Sequence, residues 1–149
     1  MRQILPKWPK YSFTLLCTLL ILLVCLMDFS DISPDDLPLP QGFDKVVHAA
    51  MYFCLGAVFI WEYRRRPRWE QLRGDTSRLK PLFWWVLILS VVVGGGIEYL
   101  QGLTDYRSRD AQDLTADIVG ALFAFLAYCL LAFSHPDDPS RPMDATGRP

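Results

Sequence analysis

Four long runs without a fixed charge constrain this chain more than any other feature. They are Tyr11–Met27, Val46–Trp61, Pro81–Ile97 and Ile118–Ser134, of 17, 16, 17 and 17 residues. As helices rising about 1.5 Å per residue, each reaches roughly 25 Å, near the lower limit for crossing a bilayer. In a chain of 149 residues these runs leave little material for a separate globular domain. The expected fold is therefore all-α, a polytopic membrane protein of four transmembrane helices in one domain over residues 1–134. Any functional site must then be built from helix ends and short loops.

The first run has basic flanks (Arg2, Lys7, Lys10), as a secretory signal does. It is long for such a signal, and no small-x-small cleavage site follows it, so it reads as an uncleaved first span. Cys17, Cys25, Cys54 and Cys129 all lie inside apolar runs with no C-x-x-C or Cys/His spacing, which suits small apolar filling better than metal binding or disulfides.

Charge sets the orientation. Twelve of the 15 basic residues fall in the N-terminal arm, in the loop between spans two and three (Arg64 to Lys80) and in the tail. Only Lys45, Arg107 and Arg109 lie on the other side. The positive-inside rule then puts both termini in the cytoplasm, with the chain in the plasma (inner) membrane. The basic loop needs no nucleic-acid partner, because this placement and contact with anionic head groups account for it. Residues 135–149, with four prolines and no apolar periodicity, are expected to form a disordered cytoplasmic tail.

Polar residues gather at the outer ends of the spans. Asp44, His48 and Tyr52 are spaced i, i+4, i+8 and line one face of a helix. Glu98 and Gln101 are spaced i, i+3 at the end of span three. Asp110, Asp113 and Asp117 are spaced i, i+3, i+7 and mark one face of a short amphipathic outer-face helix leading into span four. Ionisable groups close to hydrocarbon are expensive unless paired or wetted, so each is a candidate site residue. Each also has a structural use, as a helix cap or packing clasp, which is the commoner role for any one of them; the convergence of all three sets on one membrane face brings a binding or catalytic pocket level with it. Gly94-Gly95-Gly96 predicts close helix approach or a break. The small-residue faces Ser90/Gly94 and Ala116/Gly120/Ala124 predict tight packing of spans three and four.

The arrangement Asp44-Lys45-Val46-Val47-His48, followed by Tyr52, Leu55 and Gly56, resembles one signature of the VanZ-like family. Glu98-Tyr99-Leu100-Gln101, followed by Arg107, Asp110, Asp113 and Gly120, resembles its second. Together the two cover residues 44–120. Asp117 stands where that family commonly has Asn, and Thr104-Asp105-Tyr106 lacks the proline often found before the arginine. The resemblance implies a membrane protein of the cell envelope, since the family is named for a protein linked to low-level resistance to the glycopeptide teicoplanin. It brings no agreed catalytic residue or cofactor.

Three uses of the outer-face residues compete. The first is binding. Asp44, Lys45, His48, Tyr52, Glu98, Gln101, Arg107, Asp110, Asp113 and Asp117 would line a pocket for a lipid head group, a lipid-linked envelope precursor or a glycopeptide, with Lys45, Arg107 and Arg109 suited to phosphate. The second is a membrane-embedded enzyme acting on a lipid-linked substrate. His48 with Glu98 or Asp113 would be the acid–base pair, and the carboxylates offer oxygen ligands to a divalent metal. No motif supplies a nucleophile: Ser30, Ser33 and Thr104 sit in no recognisable elbow. The third, a transporter or proton relay, calls for ionisable groups deep in the spans and ranks last. The residues specify neither a metal site nor a cofactor.

Overall fold

The computed structural model describes residues 9–27, 40, 42–65, 79–104 and 110–134. Four helices account for almost all of them: α1 (Ser12–Leu26), α2 (Phe43–Arg64), α3 (Leu79–Gln101) and α4 (Ala111–Ser134). No strand occurs among the described residues. The expectations for most of the basic loop, Arg107, Arg109 and the tail fall outside them.

α2, α3 and the Ala111–Ala132 stretch of α4 are each long and apolar enough to cross a membrane. At 22, 23 and 24 residues these helices measure roughly 33–36 Å, against a hydrocarbon core of about 30 Å. α1 is shorter, 15 residues or about 22 Å. Apolar side chains cover the outside: Leu15, Leu19 and Leu23 of α1 and Leu126, Leu130 and Leu131 of α4 are all exposed. That surface fits lipid and would be untenable in water. Trp61, Trp84 and Trp85 are exposed near the basic end of the bundle, the position of an interfacial aromatic belt. Arg65 stacks on Trp61 there, and Arg64 on Tyr128.

The closest helix pair is α2 with α4. A Cβ added at Gly120 would overlap the Ala49 carbonyl and lie 2.8 Å from its carbon. One at Gly56 would lie 3.0 Å from the Ala124 Cβ. The small face of span four therefore packs on span two at these points, where the sequence pattern pointed to span three. Dispersion and backbone proximity hold such a contact, since lipid removes the hydrophobic drive between helices. α3 remains one unbroken helix through Gly94-Gly95-Gly96. Of the three, only Gly94 meets another helix; Cβ positions at Gly95 and Gly96 are open.

Two buried clusters fill the interior. Ile21, Cys25, Tyr52, Leu55 and Ile97 lie toward the end carrying Glu98. Phe59, Ile60, Leu82, Val86 and Ala121 lie toward the basic end. All four cysteines are free.

α1 is tied at both ends by side chains of other helices. At its start, Glu62 of α2 accepts hydrogen bonds from the Phe13 and Thr14 amides, at 3.1 and 2.9 Å, and from the Thr14 hydroxyl at 2.7 Å. The first amides of a helix have no intrahelical acceptor, and a carboxylate there also suits the helix dipole. At the other end, the Gln101 amide donates to the Cys25 carbonyl at 2.9 Å.

The amphipathic segment expected to lead into span four, as one helix with it or nearly continuous with it, is one helix with it. Residues 111–117 are the first two turns of α4 itself. Asp110 caps it, accepting from the Gln112 amide at 2.8 Å. The apolar run simply continues the same helix.

Candidate functional site

The end of the bundle opposite the tryptophans carries the polar residues. His48, one turn and a half into α2, is 5% exposed. Its Nδ1–H donates to Asp117 Oδ1 at 2.9 Å. With Asp117 ionised, its carboxylate only accepts, which puts the proton on Nδ1 and leaves Nε2 as the free ring nitrogen. Nε2 faces Asp113 Oδ2 at 3.9 Å, beyond hydrogen-bond range but close enough for charge attraction if the ring protonates. The i, i+4 spacing of Asp113 and Asp117 on α4 places both carboxylates against the one ring.

Asp117 is 1% exposed and fits because position 94 is glycine. A Cβ at Gly94 would stand 2.6 Å from Asp117 Oδ2, 3.0 Å from Leu114 and 3.3 Å from the Tyr52 hydroxyl. α2, α3 and α4 thus converge at this point. Tyr52, one turn below His48, is wholly buried.

Above the histidine sits Lys45. Its ammonium bonds Asp110 at 3.0 Å, Asp44 at 3.1 Å and Asp113 at 3.3 Å. The Gln112 amide, and then the Lys45 ammonium, hold the Asp110 carboxyl below its usual value. Asp44 is exposed and joins the cluster only through Lys45. Glu98, 8% exposed, accepts the Asp110 amide on Oε2 at 2.8 Å, tying the end of α3 to the start of α4.

Among the described residues, Glu98 Oε1 and the Tyr52 hydroxyl are the buried side-chain atoms without a well-formed hydrogen bond; the Tyr52 hydroxyl has the Asp117 carboxylate beside it, whereas Glu98 Oε1 is left over. Such atoms are uncommon in folded proteins, because leaving one unsatisfied costs about 1–3 kcal/mol.

The sequence-predicted site is therefore assembled in large part. Lys45, His48, Tyr52, Glu98, Asp110, Asp113 and Asp117 meet, with Asp44 at the rim. Gln101 does not face them: its amide is committed to the α1 carbonyl. The basic contribution also differs from the expectation. Lys45 is saturated by three carboxylates, so it is no free phosphate ligand. No three His, Cys, Asp or Glu side chains among the described residues are arranged to hold a metal ion. Sequence reasoning missed Glu62, the α1 cap; the available signal was one acidic residue at the head of the basic run Arg64-Arg65-Arg66. It also missed that Gly94 accommodates Asp117.

Fold and cluster together define a multi-pass helical membrane protein with a buried, hydrogen-bonded acidic–histidine cluster at one end of its spans. The chain belongs to the VanZ/LLP1 family, whose model matches residues 7–132. An uncharacterized protein of Schizosaccharomyces pombe is 32% identical over 90 residues, 60% of this chain and 48% of that protein. The chain thus spans about half the length of that relative. No solved structure matches it.

Proposed function

We propose that this protein crosses the plasma membrane four times, with both termini cytoplasmic, and binds a lipid head group or envelope component in a pocket at the outer face. The observation that carries the reading is the unpartnered buried Glu98 Oε1, close to the His48–Asp117 pair. A purely structural clasp would satisfy its own groups; a binding site keeps acceptors for a guest.

The four-pass reading draws support from α1's ends. Side chains from the basic end of α2 (Glu62) and the far end of α3 (Gln101) hold its two ends, although at about 22 Å it is shorter than its neighbours. The distribution of basic residues supports the orientation.

The test is the lipid content of the protein purified from its own membranes. One head-group class should be enriched over the bulk membrane, and His48→Gln, which keeps size and polarity, should lose the enrichment. Bulk composition in both proteins would refute the binding reading.

One observation favours a second reading, a membrane-embedded enzyme acting on a lipid-linked substrate. A buried carboxylate that holds Nδ1–H leaves Nε2 oriented as a general base. In that case His48→Gln would retain the bound component yet cease to convert it. Any link to glycopeptide resistance would follow from a changed envelope component and belongs to the same proposal.

A further inference from the structure

The atom that the cluster leaves open says what kind of guest it takes, provided the reading of the cluster as a head-group pocket holds. Glu98 Oε1 is a pure acceptor when ionised. Glu98 is more than nine-tenths buried, so bulk water does not serve it. The guest must therefore bring a hydrogen-bond donor.

Local charge narrows the choice. Five carboxylates (Asp44, Glu98, Asp110, Asp113 and Asp117) surround two bases, Lys45 and His48. The balance stays negative even with His48 protonated. Lys45 has no spare donor for a phosphate, its ammonium being shared among three carboxylates. An anionic group would meet repulsion here, whereas a cationic donor would be drawn in. A metal ion would need a third convergent ligand, which is lacking among the described residues.

We propose that the guest presents a primary ammonium group to Glu98, and that the natural source is an amine-bearing phospholipid head group. Glu98 lies within one turn of the end of its helix, the side of the bundle toward the head groups. An ethanolamine phospholipid could bring its ammonium to Glu98 and leave its phosphate outside, in the head-group layer. A primary ammonium offers three N–H donors; a trimethylated choline offers none.

The test uses the full chain in lipid nanodiscs with phosphatidylcholine as the host lipid. Phosphatidylethanolamine or phosphatidylglycerol is added at equal low fractions, and lipid retained on the protein is read by native mass spectrometry. Free ethanolamine is titrated separately, followed by chemical shifts of labelled His48. The wild-type protein should retain phosphatidylethanolamine over both other lipids by about tenfold or more. Glu98→Gln should abolish the preference. The wild-type comparison decides the matter even if a variant fails to fold. Equal retention of the ethanolamine and choline lipids, or preference for phosphatidylglycerol, overturns the ammonium inference while leaving a head-group pocket in place. A response to free ethanolamine without lipid preference supports the ammonium site and overturns its lipid source. No response to any probe overturns both.

Discussion

Replacing Gly120 with alanine tests the helix packing that assembles the site. The added Cβ would lie 2.8 Å from the Ala49 carbonyl carbon, whereas ordinary contact begins at 3.4 Å. α2 and α4 must then part by at least about 0.6 Å, and more to clear the carbonyl oxygen, because the obstacle is backbone and no rotamer change relieves it. Overpacking of this kind costs about 1–3 kcal/mol, and a rigid obstacle puts the expectation near the upper end. Three kcal/mol is roughly a hundredfold in the unfolding equilibrium. Gly95→Ala and Gly96→Ala serve as controls: their Cβ positions are open, and alanine favours a helix interior over glycine by about 0.5–1 kcal/mol. Reversible denaturation in mixed micelles, followed by circular dichroism, reads all three. Gly120→Ala should destabilise strongly, and the two controls should be neutral or stabilising. If Gly120→Ala unfolds like the wild type, or if Gly95→Ala is as damaging, the α2–α4 contact described here is wrong.

Other outcomes follow from the same contacts. Glu62→Ala should free the start of α1, at about 1 kcal/mol as for a lost helix cap, and raise hydrogen exchange at the Phe13 and Thr14 amides while leaving the Glu98 end protected. Asp117→Asn keeps an acceptor for His48 and should fold, whereas Asp117→Ala orphans the buried imidazole and should cost about 1–3 kcal/mol in the same denaturation assay. The Asp110 cap, with its carboxyl held below the usual value, should contribute at pH above the ordinary carboxylate range. It should be lost as pH falls through the lowered value, seen as faster exchange at the Gln112 amide. Reporter fusions at Pro38 and Gly74 should report opposite sides of the membrane, Pro38 outside; the same side for both would end the four-pass topology.

Much of this was legible in the residues. Uncharged runs of bilayer length marked the helices, because hydrocarbon forces backbone groups to pair internally. Helical spacing put His48 with Tyr52, and Asp113 with Asp117, on shared faces. Register between helices was less legible. The Gly120 face suits a close neighbour of any kind, and nothing local says that the neighbour is Ala49 of span two. The role of Lys45 as the shared cation among three carboxylates depends on where Asp110 falls after the turn. Gln101 looked like a site residue from its spacing to Glu98, yet one step of three residues on a helix turns it toward the α1 carbonyl. The α1 helix was visible as an apolar run, but its cap from Glu62 required knowing which helices lie side by side.

The most direct measurement of the central claim is an experimental structure of the protein purified from its native membranes, at a resolution that shows head groups. The account predicts a bound guest whose donor group lies within hydrogen-bond distance of Glu98 Oε1, with His48 still paired to Asp117. Finding Glu98 fully satisfied by the protein's own side chains, with no guest beside it, would contradict it.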